Sequence, residues 1–269
     1  MEVSGATRLF PIIGDPVTHV ESPVRLTRTL TEGGHDAVCI PVQVAEGHLG
    51  LVMAGLAVSG NVDGILVTMP HKRAAFGYCA TSSERARMLG VVSVIRRNPD
   101  GTWHGDMLDG LAFVKAQVDH GARVEGARAL LVGAGAAGAA IAIALLEAGV
   151  RELVVHDADA SRVADLLRLL AGHGDGGVSS GPPDPRGCDL VFNASPLGMD
   201  DGDPLPVDAG FLGASMFVGD VISGHGATRF IVAARAAGCA TADGADMVEA
   251  VQTLMADFMI GGQRPPATD

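Results

Sequence analysis

Ala129-Leu130-Leu131-Val132-Gly133-Ala134-Gly135-Ala136-Ala137-Gly138 is the stretch on which the fold turns. A short apolar run without charge reads as a buried strand, and it leads directly into G-x-G-x-x-G. Residues 137–148 then carry the pattern of a buried helix. Strand, glycine turn and helix in this order open a dinucleotide-binding unit. Gly133 permits the tight turn, Gly135 holds no side chain against a pyrophosphate, and Gly138 lets helix and strand pack closely. Ala134, Ala136 and Ala137 complete the loop at a helix N-terminus, whose free N–H groups and dipole favour an anion. Residues 129–146 carry no charge and are long enough to cross a membrane. The three glycines interrupt them, so no membrane span is expected.

The next strand, 152–156, ends at Asp157. A carboxylate there accepts from the ribose hydroxyls of NAD and repels the extra phosphate of NADP. Arg162 is the nearby cation that would favour NADP. The expected cofactor is NAD, with NADP behind it.

Working outward, strands are expected over 9–14, 37–42, 64–68, 189–193 and 216–220, and helices over 23–33, 49–58, 111–120, 161–171, 228–237 and 246–260. Ser22 is placed to cap the first helix, and Gly60 to close the second. Asn98-Pro99-Asp100-Gly101 is a turn signal, here joining a hairpin of 88–95 and 102–105. Residues 172–185 read as a surface loop, and 261–269 as a frayed tail. Strands alternating with helices imply an α/β fold with mostly parallel sheets. Two domains are expected: residues 1–110 as an N-terminal α/β/α domain, and 111–239 as a Rossmann doubly wound parallel sheet. The C-terminal helix, within 240–260, would pack back on the first domain.

Composition narrows the partners. With 31 acidic and 19 basic residues the formal charge is −12, which repels phosphate backbones and argues against nucleic acid. Aromatics are only 4%, too few for base-stacking platforms. Cys39, Cys79, Cys188 and Cys239 form no C-x-x-C pair, so neither a zinc site nor a disulfide framework is expected. His173 and His225 lie in glycine-rich loops with no second ligand at metal spacing. Residues 1–8 lack the pattern of a signal peptide. The expectation is a reduced, cytoplasmic protein, monomer or homodimer, acting on a small molecule.

Five further stretches follow in order. They are Gly14-Asp15-Pro16-Val17-Thr18-His19-Val20-Glu21-Ser22-Pro23, Val67-Thr68-Met69-Pro70-His71-Lys72, Gly105-Asp106-Met107-Leu108-Asp109-Gly110, Asn193-Ala194-Ser195-Pro196-Leu197-Gly198-Met199, and Asp220 with Thr228 followed by Gly244 with Met247. Their order and spacing resemble the shikimate dehydrogenase family over nearly the whole chain. The resemblance implies an oxidoreductase that moves hydride between a nicotinamide and a secondary alcohol. It places Lys72 and Asp109 on either side of the reacting hydroxyl. It also places Asn193, Ala194, Ser195, Leu197, Met199, Val221, Gly244 and Met247 beside the cofactor. The chemistry asks independently for such a pair: as hydride leaves the carbinol carbon, a positioned group must take the hydroxyl proton.

The departures from the family pattern gather where the substrate would be held. The first serine of H-S-x-S-P is Val20, while Ser22 is kept. The asparagine before V-T is Leu66, while Thr68 is kept. The asparagine of the G-A-x-N-T stretch is Ser93, the N-T before Asp109 is Met107-Leu108, the tyrosine after Asp220 is Ser223, and the glutamine after Gly244 is Val251, with Gln252 one step away. Each lost polar partner leaves a buried group unpaired at about 1–3 kcal/mol. The expected substrate is therefore a hydroxy or keto compound other than shikimate. Alternatives are a genuine shikimate or quinate dehydrogenase and a non-catalytic nucleotide-binding regulator.

Overall fold

The computed structural model describes residues 2–261 except 201 and 225, so the 262–269 tail and His225 lie outside the described residues. The chain divides into two units. Unit 1 comprises the residues up to Leu108 together with those from Gln252 onward, and unit 2 is Asp109–Val251.

Unit 1 contains β1 (Arg8–Gly14), α1 (Ser22–Glu32), β2 (Ala37–Gln43), α2 (Leu49–Val58), β3 (Gly64–Val67), α3 (Lys72–Phe76), β4 (Thr81–Ser82), α4 (Glu84–Leu89), β5 (Val94–Arg97) and β6 (Trp103–Asp106). Its six-stranded sheet runs β2-β1-β3-β5-β6-β4. It is mixed: β1 pairs in parallel with β2 and β3, and β4 with β6, while β5 is antiparallel to both β3 and β6. The cause is the tight turn between β5 and β6, closed by Asn98 N–H donating to the Thr102 carbonyl at 2.8 Å, with Gly101 at φ 85°. A connection that short forces antiparallel neighbours. The expected hairpin therefore exists, but its first strand starts at Val94, because 84–89 is helical and capped by Ser83. Two other local expectations fail. Glu21, not Ser22, is the N-cap of α1, and no side chain caps it; Pro23, whose φ is preset for a helix, sits in the first turn instead. The second helix closes at Ser59, whose hydroxyl donates to the Gly55 carbonyl, and not at Gly60.

Unit 2 contains α5 (Asp109–Asp119), β7 (Arg128–Val132), α6 (Ala136–Glu147), β8 (Glu152–His156), α7 (Ala160–Leu170), β9 (Gly177–Ser180), β10 (Leu190–Asn193), β11 (Phe217–Asp220), α8 (Arg229–Ala236), β12 (Ala240–Ala242) and the start of α9 (Gly244–Ile260), which crosses into unit 1 at Gln252. The sheet order is β12-β11-β10-β7-β8-β9, parallel throughout, the doubly wound dinucleotide-binding topology. β9 lies inside the expected 172–185 loop. It is an edge strand of Gly, Val and Ser, with too little apolar alternation to show. The core packs Leu130, Val132, Val191, Val218, Phe230 and Ile231 between sheet and helices. Phe113 meets Phe192 edge-on at 5.2 Å. No described helix is long and apolar enough to cross a membrane.

Beyond Gln252, α9 packs on the unit 1 sheet. Phe258 stacks on His104 at 6.0 Å, under the Arg96 guanidinium at 5.3 Å.

Candidate active site

In unit 1 the motif stretches gather at one end of the sheet, where β1 and β3 stop, β5 starts and β6 stops. Main-chain hydrogen bonds bind them. Thr68 N–H donates to the Ile13 carbonyl (2.9 Å), Asp15 N–H to Met69 (3.0 Å), Val67 N–H to Ser93 (2.8 Å), Val92 N–H to Lys72 (3.0 Å) and Ser93 N–H to Asp106 (2.9 Å). Lys72 is the first residue of α3 and half-buried. Before it, His71 is only 1% exposed, and its Nε2–H donates to the Val44 carbonyl at 2.5 Å. A carbonyl can only accept, so this bond sets the tautomer. His71 is thus a strut between the β3 loop and the segment after β2.

The chain leading to Asp109 is held from several sides. Asp106, at the end of β6, accepts from the Ser83 hydroxyl, from Arg85 Nη2 (2.6 Å) and from Met107 N–H (2.7 Å). Leu108 N–H donates to Ser93 Oγ at 2.9 Å. Ser93 is 1% exposed, so the hydroxyl expected to face substrate is engaged by the backbone one residue before Asp109. Leu66, at 0%, is enclosed in the core, and Met107 and Leu108 are also buried. Ser22 is buried; Val20 and Thr68 are half-buried. Asp109 opens α5 in unit 2, as a half-buried residue. Ser223 (exposed) and Val251 (half-buried) also lie in unit 2, and Gln252 is more buried than Val251.

Unit 2 places the glycine loop, Asp157, the 193–199 stretch and Asp220 at the carboxyl ends of β7, β8, β10 and β11, where this topology binds its ligand. Gly133 has φ +111°, and a Cβ there would lie 2.6 Å from the Ala194 backbone; a Cβ on Gly138 would lie 2.0 Å from the Gly133 carbonyl oxygen. Only glycine fits either place. Gly135 differs: a Cβ would meet nothing within 4 Å, and no side chain caps α6 there. A cavity of about 590 Å³ opens at this point, with Gly135 and Ala137 on one wall, Ala194 and Leu197 on another, and Asp157 and Arg162 at the rim. Open space above an uncapped helix N-terminus suits the pyrophosphate of a dinucleotide.

Asp157 ties the cradle together. Its Oδ2 accepts from Ala134 N–H (2.8 Å) and its Oδ1 from Asp159 N–H (2.9 Å). Asp159 in turn caps α7. The acid expected for a ribose thus also fastens β8 to the glycine loop. Arg162 lies in the first turn of α7, exposed, with Asp159 at 3.7 Å.

Behind the 193–199 stretch runs a buried polar chain that sequence reasoning registered only as a motif match. Asp220, 0% exposed, accepts from Thr228 Oγ1 (2.7 Å), Asn193 Nδ2 (3.1 Å) and Ile222 N–H (3.1 Å). Burial pushes its carboxyl up to about 6 against those three donors, and Asp243 adds to the rise. Its signal in the sequence was an acid ending an otherwise apolar strand, Phe217-Val218-Gly219-Asp220. Val221 N–H donates to the Asn193 carbonyl at 3.1 Å, and a Cβ on Gly244 would press the Ile222 carbonyl at 2.3 Å, so these late positions adjoin the same edge. Met247 follows in the first turn of α9, half-buried.

Residues 12–95 match the family model described as the shikimate dehydrogenase substrate binding domain. A shikimate dehydrogenase (NADP(+)) from Maricaulis maris is 34% identical over 252 residues, covering 91% of this chain and 87% of its own. Among solved structures, the 5-ketofructose reductase of a Gluconobacter strain aligns with TM-score 0.87 at 26% identity, over 96% of this chain and 94% of that one. The shikimate 5-dehydrogenase of Listeria monocytogenes aligns with TM-score 0.88 at 24% identity, over 98% and 96%, a likeness of fold.

Proposed function

The chain belongs to the shikimate dehydrogenase family, and from that premise we propose that it interconverts a hydroxy and a keto acid other than shikimate. Family membership makes it an NAD(P)-dependent oxidoreductase acting on a secondary alcohol. The observation that carries the cofactor reading is the cradle at Gly135, open to the 590 Å³ cleft above an uncapped helix N-terminus. The shift in substrate is supported by Leu66, Met107 and Leu108, buried apolar residues where the family pattern is polar, and by a Ser93 hydroxyl already engaged with Leu108.

When bound, a nicotinamide supplies the acceptor or donor of hydride. Lys72 takes the hydroxyl proton as the alcohol is oxidised and returns it when the ketone is reduced. Asp109 orients that hydroxyl. Gly133 to Gly138 bind the pyrophosphate, and the 194–197 wall lies toward the nicotinamide.

The second substrate reading is a genuine shikimate or quinate dehydrogenase, favoured by the name of the Maricaulis relative. For the cofactor, the NADP(+) in the relatives' names runs against the expected order of NAD before NADP. We therefore take NADP as the first reading, with Arg162 as the cation facing its extra phosphate. Asp157 at the same rim favours NAD as the second.

One assay separates these readings: initial rates on shikimate, quinate and a panel of hydroxy and keto acids, each with NADP and NAD. The expected outcome is a panel member whose kcat/KM exceeds that of shikimate by at least about tenfold. Shikimate as the best substrate, with KM in the range of about 1 μM to 1 mM, establishes the second reading. Nucleotide binding without turnover of any panel member leaves a non-catalytic regulator.

A further inference from the structure

We propose that Asp220 is a positioning residue for the nicotinamide end of the cleft, acting through Asn193 on the wall formed by residues 194–197. This rests on the reading of that cleft as the cofactor site. Asn193 uses both ends of its amide. Its Nδ2 donates to Asp220 Oδ1 (3.1 Å) and to the Leu197 carbonyl (3.0 Å); its Oδ1 accepts from Ser195 N–H (3.1 Å) and Ser195 Oγ (2.6 Å). Ser195 Oγ accepts in turn from Leu197 N–H at 3.2 Å. Ala194, Ser195, Pro196 and Leu197 all line the cleft. The wall is therefore folded around one amide, and Asp220 is the acceptor behind it.

The carboxylate joins that wall to the next loop. Its Oδ1 also accepts from Ile222 N–H, and its Oδ2 from Thr228, the N-cap of α8. A packing role alone does not call for such a group. An acid at 0% exposure, pushed up to about 6 by burial, is costly to keep ionised, and an apolar residue would fill the same volume without that cost. What a carboxylate adds is acceptor capacity toward two loops at once.

The test is equilibrium binding of NADP and, separately, of adenosine monophosphate to the full chain, for wild type, Asp220→Ala and Asp220→Asn. Adenosine monophosphate reaches the Asp157 end of the cleft but carries no nicotinamide. Asp220→Ala is expected to weaken the dinucleotide by about tenfold or more and to leave adenosine monophosphate within about twofold. Asp220→Asn keeps an Oδ1 acceptor for Asn193 and Ile222, and is expected to restore dinucleotide binding to within about threefold of wild type. If Asp220→Ala does not fold, Thr228→Val carries the test, with several-fold weaker dinucleotide and unchanged adenosine monophosphate. The proposal is overturned by unchanged dinucleotide affinity in Asp220→Ala, by equal loss of both ligands, or by an asparagine variant as weak as the alanine one. Wild-type protein that binds no dinucleotide removes the cofactor reading itself, a result distinct from all of these.

Discussion

Unit 1 and unit 2 both end a sheet in a row of motif residues, yet they hold those residues by different means. In unit 1 the Gly14, Thr68, Lys72 and Ser93 stretches are joined by main-chain N–H to carbonyl bonds, which survive most changes of side chain. Here the family pattern has changed, to Val20, Leu66, Met107 and Leu108. In unit 2 the loops depend on what only certain side chains can do: glycine at 133 and 138, an amide at 193, an acid at 220. Here the pattern is kept at those four positions, while Ser223 and Val251 depart from it. A backbone-held edge tolerates changed side chains, whereas a loop folded around particular side chains does not.

The comparison breaks first at Lys72. Lys72→Ala should lower kcat/KM by about 10²–10⁴-fold, read from initial rates, with cofactor affinity unchanged. Equal rates would show that Lys72 does not move the proton. Next, Gly133→Ala should destabilise the chain by about 2–4 kcal/mol and lose the cofactor, because an L side chain at φ +111° would also press the Ala194 backbone. Denaturant unfolding with and without nucleotide measures this.

The pH dependence of stability sharpens the contrast. Asp220 has its folded-state carboxyl raised from 3.8 to about 6 by burial, so its contribution to stability is full below about pH 4 and is lost as pH rises through 6. The loss is about 3 kcal/mol at 1.36 kcal/mol per unit. Asp220→Asn should remove that slope, so the stability of wild type relative to this variant should fall between pH 4 and pH 7. A parallel pair of curves would contradict the burial argument.

Ser93→Ala probes unit 1. It strands the buried Leu108 N–H and should cost about 1–2 kcal/mol of stability. A raised substrate KM at unchanged stability would instead return Ser93 to the substrate. The smallest effect is expected at the rim, where Arg162→Ala should lower kcat/KM for NADP by about tenfold or less while sparing NAD, since an exposed guanidinium is screened by solvent.

Much of this was legible in advance, for identifiable reasons. The β7–α6 turn announces itself because three glycines at that spacing follow an apolar strand and precede an uncharged helix. The β5–β6 turn does so through Asn98-Pro99-Asp100-Gly101. The short α3, α4 and β4 escaped because each spans too few residues to show a period, and β9 because it has no apolar face. At the site, Ser93 was read as a substrate ligand from its place in a pattern. Its hydroxyl also accepts from Leu108 N–H, 15 residues away, and only the antiparallel pairing of β5 with β6 brings the two together.

The amino-acid order by itself settled the family, the two α/β units and the glycine cradle, because these rest on local spacing and on backbone conformations that only glycine adopts. Which polar groups remain available to a ligand was decided by the tertiary structure. Ser93, Asp157 and Asp220 each carry lone pairs that a ligand can use, and whether those are already spoken for depends on strands that meet only in the folded chain.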